Sequence, residues 1–229
     1  MRQVFRKEIK YIVHVSDFVR IRDKLGAIMR PDPHGKDGTG TYTVRSLYFD
    51  SIGDRDLKDN LDGVMEKRKI RVRSYDLSSD FALLEYKCKS GSDSKKLSLP
   101  ISKLEAQLME NGHYEFLLEQ EEDLATFLYD KITRCVYRPK TVVEYDRIAL
   151  LYPVSDVRIT YDHNIKGSLS PVGLYNPSTP LARLMAPDYG VLEVKYNDFL
   201  VTPIQRVLQN LDALPGANSK YSNARLLTF

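Results

Sequence analysis

The sequence has no apolar run approaching the ~18–20 residues that a membrane-spanning helix requires. It opens on MRQVFRKEIK, without the apolar stretch of a secretory leader. Its two cysteines, Cys88 and Cys135, are too few for a disulfide framework. Together these absences set the expectation of a reducing cytoplasm. Neither sign of charge dominates: Lys plus Arg is 34, Asp plus Glu is 31, and the net charge is +3. That balance excludes a wholly basic coat for nucleic acid and the charge excess of a disordered chain. The four histidines have no metal-ligand spacing. The glycine-rich GKDGTG at 35–40 lacks the strand–loop–helix setting and the Gly-Lys-Ser/Thr ending of a P-loop, so it reads as a loop. What remains is a chain of 229 residues, 42% hydrophobic and 28% charged, an ordinary composition for one globular domain covering residues 1–229.

The hydrophobic period gives the order of elements. Residues 4–13 alternate as a strand, and 17–29 carry Phe18, Ile21, Leu25 and Ile28 at helical spacing, with Ser16 as the expected N-cap. Strands are then expected at 42–50, 64–75 and 81–89, two helices or a helical hairpin at 101–109 and 114–129, and strands at 141–150, 156–163 and 190–197. Thr202-Pro203 starts a last helix, and the tail from Pro215 reads as short and polar. No fixed repeat or low-complexity linker divides the chain. The pattern predicts one α+β domain of about eight antiparallel strands with covering helices.

Charge is concentrated on one parity of these strands. The sets are Arg6/Glu8/Lys10, Lys69/Arg71/Arg73, Glu85/Lys87, Glu144/Asp146 opposite Arg147, Arg158 with Asp162, and Glu193/Lys195. One reading is the solvated face of an ordinary antiparallel sheet. The other starts from the density of Lys, Arg and Glu and from an opposite parity apolar enough to need the helices as cover. A sheet of about eight strands can close into a barrel, and the charged parity would then line its lumen. Cations held close together away from bulk water repel, and a polyanion relieves this. Arg and Lys suit phosphate oxygens, and carboxylates suit Mg²⁺ or Mn²⁺ bridging to them. The second reading therefore implies a triphosphate or polyphosphate site with metal-assisted phosphoryl chemistry.

The same residues carry a resemblance. Arg6-Lys7-Glu8-Ile9-Lys10-Tyr11, Ser46-Leu47-Tyr48-Phe49-Asp50, Lys69-Ile70-Arg71-Val72-Arg73, Leu84-Glu85-Tyr86-Lys87, Glu144-Tyr145-Asp146-Arg147, Val157-Arg158-Ile159-Thr160-Tyr161-Asp162, Leu192-Glu193-Val194-Lys195-Tyr196 and Ser219-Lys220-Tyr221-Ser222 occur in this order. The set resembles the VTC domain, the polyphosphate polymerase branch of the triphosphate tunnel metalloenzymes. The resemblance implies a closed eight-stranded antiparallel barrel with a charged lumen and flanking helices. It also implies transfer of the terminal phosphate of ATP to a growing polyphosphate chain, with Mn²⁺ or Mg²⁺. Carried over residue by residue, Arg71, Arg73, Arg158 and Lys220 would neutralise the reacting phosphates. Lys10, Arg45, Lys69, Lys87, Arg147 and Lys195 would bind substrate, and Glu193, with Glu8 and Glu85 behind it, would hold the metal.

One departure bears on the activity. The hydrolase and cyclase relatives begin with Glu-x-Glu-x-Lys, whereas this chain has Arg6-x-Glu8-x-Lys10. Losing a carboxylate removes one means of holding a second metal, and the added cation favours retention of an anionic chain. The departure points to the polymerase rather than to a triphosphatase, with a non-catalytic polyphosphate- or inositol-phosphate-binding module as the remaining alternative. The expected partners are ATP and polyphosphate, with no nucleic acid, because no aromatic-and-basic stacking face is evident. The eukaryotic relatives couple polymerisation to membrane translocation, so that task would fall to a membrane partner. The oligomeric state is left open by the sequence.

Overall fold

In the computed structural model the described residues are 7–35, 38–91, 93–171 and 173–227. The chain packs as two compact units, one formed by Met1–Thr43, Tyr145–Ile165 and Met185–Ser219, the other by Val44–Glu144, Lys166–Leu184 and Lys220–Phe229. The elements in chain order are β1 (Lys7–His14), α1 (Val15–Gly26), β2 (Arg30–Pro31), β3 (Thr41–Ser51), α2 (Arg55–Leu61), β4 (Glu66–Ser74), β5 (Phe81–Ser90) and β6 (Asp93–Ser102). There follow α3 (Lys103–Glu110), α4 (Asp123–Arg134), β7 (Tyr137–Tyr152), β8 (Val157–Ser168), β9 (Leu181–Arg183), β10 (Tyr189–Tyr196), α5 (Thr202–Leu208) and α6 (Lys220–Leu226). No helix is long and apolar enough to cross a membrane among the described residues.

The strands form one ten-stranded sheet of order β1-β10-β8-β7-β3-β4-β5-β6, with β2 on β7 and β9 on β8. The expected α+β class with flanking helices holds, but the closed eight-stranded barrel does not. The sheet has ten strands, and hydrogen bonding does not return from β6 to β1. Two physical reasons account for the difference. The short β2 and β9 arise in segments whose Pro and Gly content reads as loop. In addition, β6 has the chemistry of an edge strand: Pro100 has no N–H to give, and Lys95 and Lys96 discourage a further partner.

In the first unit β10 lies between β1 and β8, all antiparallel, with Glu8 opposite Lys195, Lys10 opposite Glu193, Glu193 opposite Thr160 and Lys195 opposite Arg158. The alternate residues Val13, Ile159, Tyr161, Leu192 and Val194 form the core with Phe18, Ile21 and Leu25 of α1 and Ile204 and Leu208 of α5. Phe18 stacks on Tyr161 with centroids 3.9 Å apart. The α1 N-cap is His14, whose Nδ1 accepts from the Ser16 amide, rather than Ser16 itself. Gly40 serves the backbone: its φ is +71°, and a Cβ there would lie 2.4 Å from the Ala149 carbonyl. Lys36 and Asp37 of the same stretch lie outside the described residues.

In the second unit β3, β4, β5 and β6 run antiparallel in sequence order. Their apolar parity (Leu47, Phe49, Ile70, Val72, Leu84, Leu99, Ile101) packs on Ala106 and Met109 of α3 and on Ala125, Leu128 and Ile132 of α4. The expected helix at 114–129 divides into a 3-10 turn, Glu115–Leu118, and α4. Ser102 ends β6 and opens α3 through a reciprocal capping box with Glu105.

Asp50 near the end of β3 and Asp56 in α2 form a buried acidic pair. Asp50 accepts from the amides of Ser51, Asp56 and Leu57 and so anchors the start of α2. Asp56 is 2% exposed and accepts from the Tyr137 hydroxyl at 2.7 Å. Burial, with Asp50 nearby, pushes the Asp56 carboxyl up to about 6. A raised carboxyl favours folding while protonated. The unfolded chain gives up this proton near pH 4 and the folded chain near pH 6, so stability falls across that window and stays lower above it. The shift corresponds to about 3 kcal/mol. Asp56→Asn keeps an acceptor for Tyr137 without the charge. Chemical denaturation should therefore show it more stable than wild type by up to about 3 kcal/mol at pH 8 and equal to it at pH 4. Equal stability at pH 8 would contradict the buried-charge assignment.

Candidate functional site

The charged parities anticipated from the sequence are real faces, one in each unit. In the second unit the register sets Tyr48 opposite Arg71, Arg71 opposite Glu85, and Glu85 opposite Ser98. One step along, Lys69, Lys87 and Lys96 stand abreast on three neighbouring strands. Glu85, 1% exposed, is the carboxylate at the centre. Its Oε2 lies 2.7 Å from Arg71 Nε and 3.7 Å from Arg73 Nε, and its Oε1 lies 3.0 Å from Lys96 Nζ. Burial alone would raise its pKa, but Arg71, Arg73 and Lys96 outweigh burial and hold it well below the usual glutamate range.

The surplus cation charge registers on the neighbouring phenols. Arg71 Nη1 donates to the Tyr48 hydroxyl at 3.0 Å, and Arg73 Nη1 donates to the Tyr75 hydroxyl at 3.4 Å. Burial works to raise both phenols. Arg71, Arg73 and Lys220 nevertheless pull Tyr48 below its ordinary value, and Arg73 does the same for Tyr75. Phenols elsewhere, such as Tyr114, Tyr137 and Tyr161, are shifted upward by burial. The region around Arg71 and Arg73 is thus one of positive potential.

The face of the first unit is different, with carboxylates and cations alternating. Lys10 pairs with Glu8 at 3.0 Å, and Lys195 lies 2.5 Å from Glu193 and 4.0 Å from Glu8. The Lys195 ammonium therefore stands between two carboxylates. Arg147 donates from Nε and Nη2 to the two oxygens of Asp162 at 2.6 and 2.8 Å. Burial opposes the charge on Arg147, but Asp162 and Glu193 hold it, with its pKa above the usual arginine range. Arg158 donates to Asp32 Oδ2 at 2.6 Å and to the Tyr42 hydroxyl at 2.7 Å. Asp32 also accepts from the His34 amide. Burial raises its pKa, but His34 and Arg158 together bring it below the ordinary value.

The structure thus groups Arg71, Arg73, Glu85, Lys69 and Lys87 on one face, and Glu8, Lys10, Glu193, Lys195, Arg147 and Arg158 on the other. Lys220, first residue of α6, is one of the groups acting on Tyr48. Arg45 stands apart. It lies on the parity of β3 opposite to Tyr48, buried, with Nη1 donating to the Asn176 carbonyl at 2.9 Å and Nε 3.6 Å from Glu144. Arg6 lies outside the described residues. Sequence reasoning missed Lys96, Tyr48, Tyr75 and Asp32. The alternation Leu97, Leu99, Ile101 against Lys96 and Ser98 could have revealed the first.

Glu8 and Glu193 fit a hard divalent cation. They are carboxylates on one face of neighbouring strands, diagonal in register, and already share a cationic group, the Lys195 ammonium. Among the described residues no cluster of three or more His, Cys, Asp or Glu forms a cage. Two carboxylates with substrate oxygens completing the shell is the usual Mg²⁺ arrangement. Glu85 fits a metal less well, since it is 1% exposed and is already compensated by three cations, Arg71, Arg73 and Lys96.

Among solved structures, a Bacillus halodurans protein provisionally named an adenylate cyclase is similar, with 14% identity over 93% of this chain and 96% of its own, at a TM-score of 0.53. Weaker likenesses, which carry no argument, are the PH1819 protein of Pyrococcus horikoshii OT3 (12% identity, 97% and 99% covered, TM-score 0.46) and the Mimivirus capping enzyme triphosphatase (14%, 91% and 88%, 0.37). At such identities the likeness concerns the fold alone. No curated protein matches the chain. The family model of the VTC domain matches residues 5–229, nearly the whole length over which the ordered strand motifs run, and the chain therefore belongs to the VTC domain family.

Proposed function

We propose that this protein is a polyphosphate polymerase that transfers the terminal phosphate of ATP to the end of a polyphosphate chain, assisted by Mn²⁺ or Mg²⁺. The observation that carries the reading is the cation excess around Arg71 and Arg73, where two guanidinium groups and the Lys96 ammonium converge on the buried carboxylate of Glu85. In this reading Arg71, Arg73 and Lys220 bind the non-bridging oxygens of the reacting phosphates. Glu85 acts as their anchor, fixing both guanidinium groups before substrate arrives, so little reorganisation accompanies the reaction. Lys69, Lys87 and Lys96 continue the cationic path along the strands and suit an extended anion. In the first unit the phosphate-binding cations are Arg158, held by Asp32 and Tyr42, with Lys10 and Lys195.

The terminal oxygen of the growing chain, already an anion, attacks the γ-phosphorus of ATP. The bond from that phosphorus to the bridging oxygen breaks, and ADP leaves with the electron pair. No general base is required, because the attacking oxygen carries no proton to remove. Glu193 and Glu8 would hold the divalent cation, which when bound neutralises phosphate charge. The experiment is incubation with ATP and Mn²⁺ or Mg²⁺ followed by a gel for long-chain polyphosphate. Polymer is expected. Free phosphate alone would show a triphosphatase, and intact anion binding without turnover a binding module.

A further inference from the structure

We propose that Tyr221 and Arg225 are positioning residues that set Lys220 beside the Arg71–Tyr48 pair, using Asp50 and Asp54 as fixed anchors. The proposal rests on the phosphate-site reading above. Helix α6 spans seven residues, too few to be stable by itself, so its place is determined by what it touches. Tyr221, 2% exposed, is held at both ends by two same-face residues of β3. Its ring stacks on that of Tyr48 with centroids 5.3 Å apart, and its hydroxyl donates to Asp50 Oδ2 at 2.5 Å. Asp50 cannot follow Tyr221 if it moves, because three backbone amides, that of Ser51 at the end of β3 and those of Asp56 and Leu57 at the start of α2, already hold its carboxylate.

The second anchor acts one turn later. Arg225 donates from Nη1 and Nη2 to the two oxygens of Asp54 at 2.7 and 3.0 Å, and from Nη1 to the Tyr221 hydroxyl at 3.2 Å. Lys140 also reaches Asp54, at 2.9 Å. Asp54 has φ +55°, the left-handed conformation just before α2, so the acceptor itself is set by the backbone. Burial and Asp50 keep the Tyr221 phenol protonated as a donor. A lysine is a point charge on a long flexible stem, and its value at a phosphate depends on where its backbone is fixed. Here the ring under Tyr221 belongs to Tyr48, whose hydroxyl accepts from Arg71. One short helix thus ties Lys220 to the arginine of the phosphate face, and the stretches Ser46-Leu47-Tyr48-Phe49-Asp50 and Ser219-Lys220-Tyr221-Ser222 are physical partners.

The test is calorimetric titration of the full chain with inorganic tripolyphosphate, without metal, on variants checked for folding by thermal melts. Lys220→Ala should weaken binding about tenfold, the scale of one charge-assisted hydrogen bond. Tyr221→Phe keeps the stacked ring and removes only the hydroxyl. It should weaken binding about as much, and the double variant should bind no worse than Lys220→Ala alone, because a misplaced lysine and an absent one are the same loss. Arg225→Ala should behave as Tyr221→Phe does, with partial recovery in Arg225→Lys. Wild-type affinity in both Tyr221→Phe and Arg225→Ala, or additive losses in the double variant, would overturn the positioning role. If Lys220→Ala binds normally while Arg71→Ala is impaired, the positioning role falls and the phosphate site stands. If the wild type does not bind tripolyphosphate, both fall.

Discussion

Replacing Arg71 by alanine should lower the rate of phosphate transfer by about 10²–10³-fold, the loss typical of a fixed donor to developing oxyanion charge. Arg71 combines three contacts, each shorter than the corresponding contact of Arg73. Its Nε is fixed on the buried Glu85 at 2.7 Å, its Nη1 on the Tyr48 hydroxyl at 3.0 Å, and its guanidinium lies 5.7 Å from the centre of the Tyr48 ring. The side chain is thus oriented before any anion binds. Arg71→Lys should recover only part of the rate, because a lysine can take one of these partners but cannot reproduce the planar fork. The fold should survive the alanine variant, since Arg73 and Lys96 still compensate Glu85. Single-turnover rates on protein with an unchanged circular dichroism spectrum make the comparison. A rate within twofold of wild type would remove Arg71 from the site.

Glu193→Ala should abolish the metal dependence of turnover and leave the fold intact. Glu193 lies on the charged parity of β10, opposite Lys10 and Thr160, and not in the apolar core formed by Leu192 and Val194. Its removal deletes one of the two adjacent carboxylates that flank Lys195. The rate with Mn²⁺ should then drop to that seen with chelator, a fall of about 10²-fold or more, the scale on which lost electrostatic stabilisation is read. Glu193→Gln should behave the same way, because a neutral amide is a poor ligand for a hard cation. Normal metal-stimulated turnover in Glu193→Ala would refute the metal assignment.

The parts of this site that could be read from the sequence are those governed by period two. Alternation along β1, β4, β5, β8 and β10 placed Lys10, Arg71, Glu85, Arg158 and Glu193 on charged faces, and the register of the sheet agrees. What escaped was long-range pairing. Arg158 is grouped by strand with Asp162, yet it pairs with Asp32, 126 positions away, while Asp162 is taken by Arg147. No spacing rule links residues so distant. Both parities of β3 mix aromatic and apolar residues with polar ones, so Tyr48 reads as a packing residue although it faces Arg71. Arg45 has the right residue type on the wrong parity. Strand β6 hides behind Pro100 and the adjacent Lys95-Lys96, which interrupt a clean alternation, and with it Lys96 is lost from view. Helix α6 is too short for periodicity to reveal, and its place depends on Asp50 and Asp54 far earlier in the chain. The near-neutral total of 34 basic and 31 acidic residues conceals the separation as well. Carboxylates alternate with cations on one face, while on the other cations surround the buried carboxylate of Glu85.

The central claim is that these faces serve phosphate transfer from ATP to a polyphosphate chain. Its most direct measurement follows the γ-phosphate. The protein is mixed with γ-labelled ATP, Mn²⁺ and a short polyphosphate primer, and the products are separated by chain length. The predicted result is label in polymer longer than the primer, in amounts equal to the ADP released, and absent when Arg71 or Glu193 is replaced by alanine. Label recovered only as free phosphate, or no ADP formed by folded protein that still binds tripolyphosphate, would contradict it.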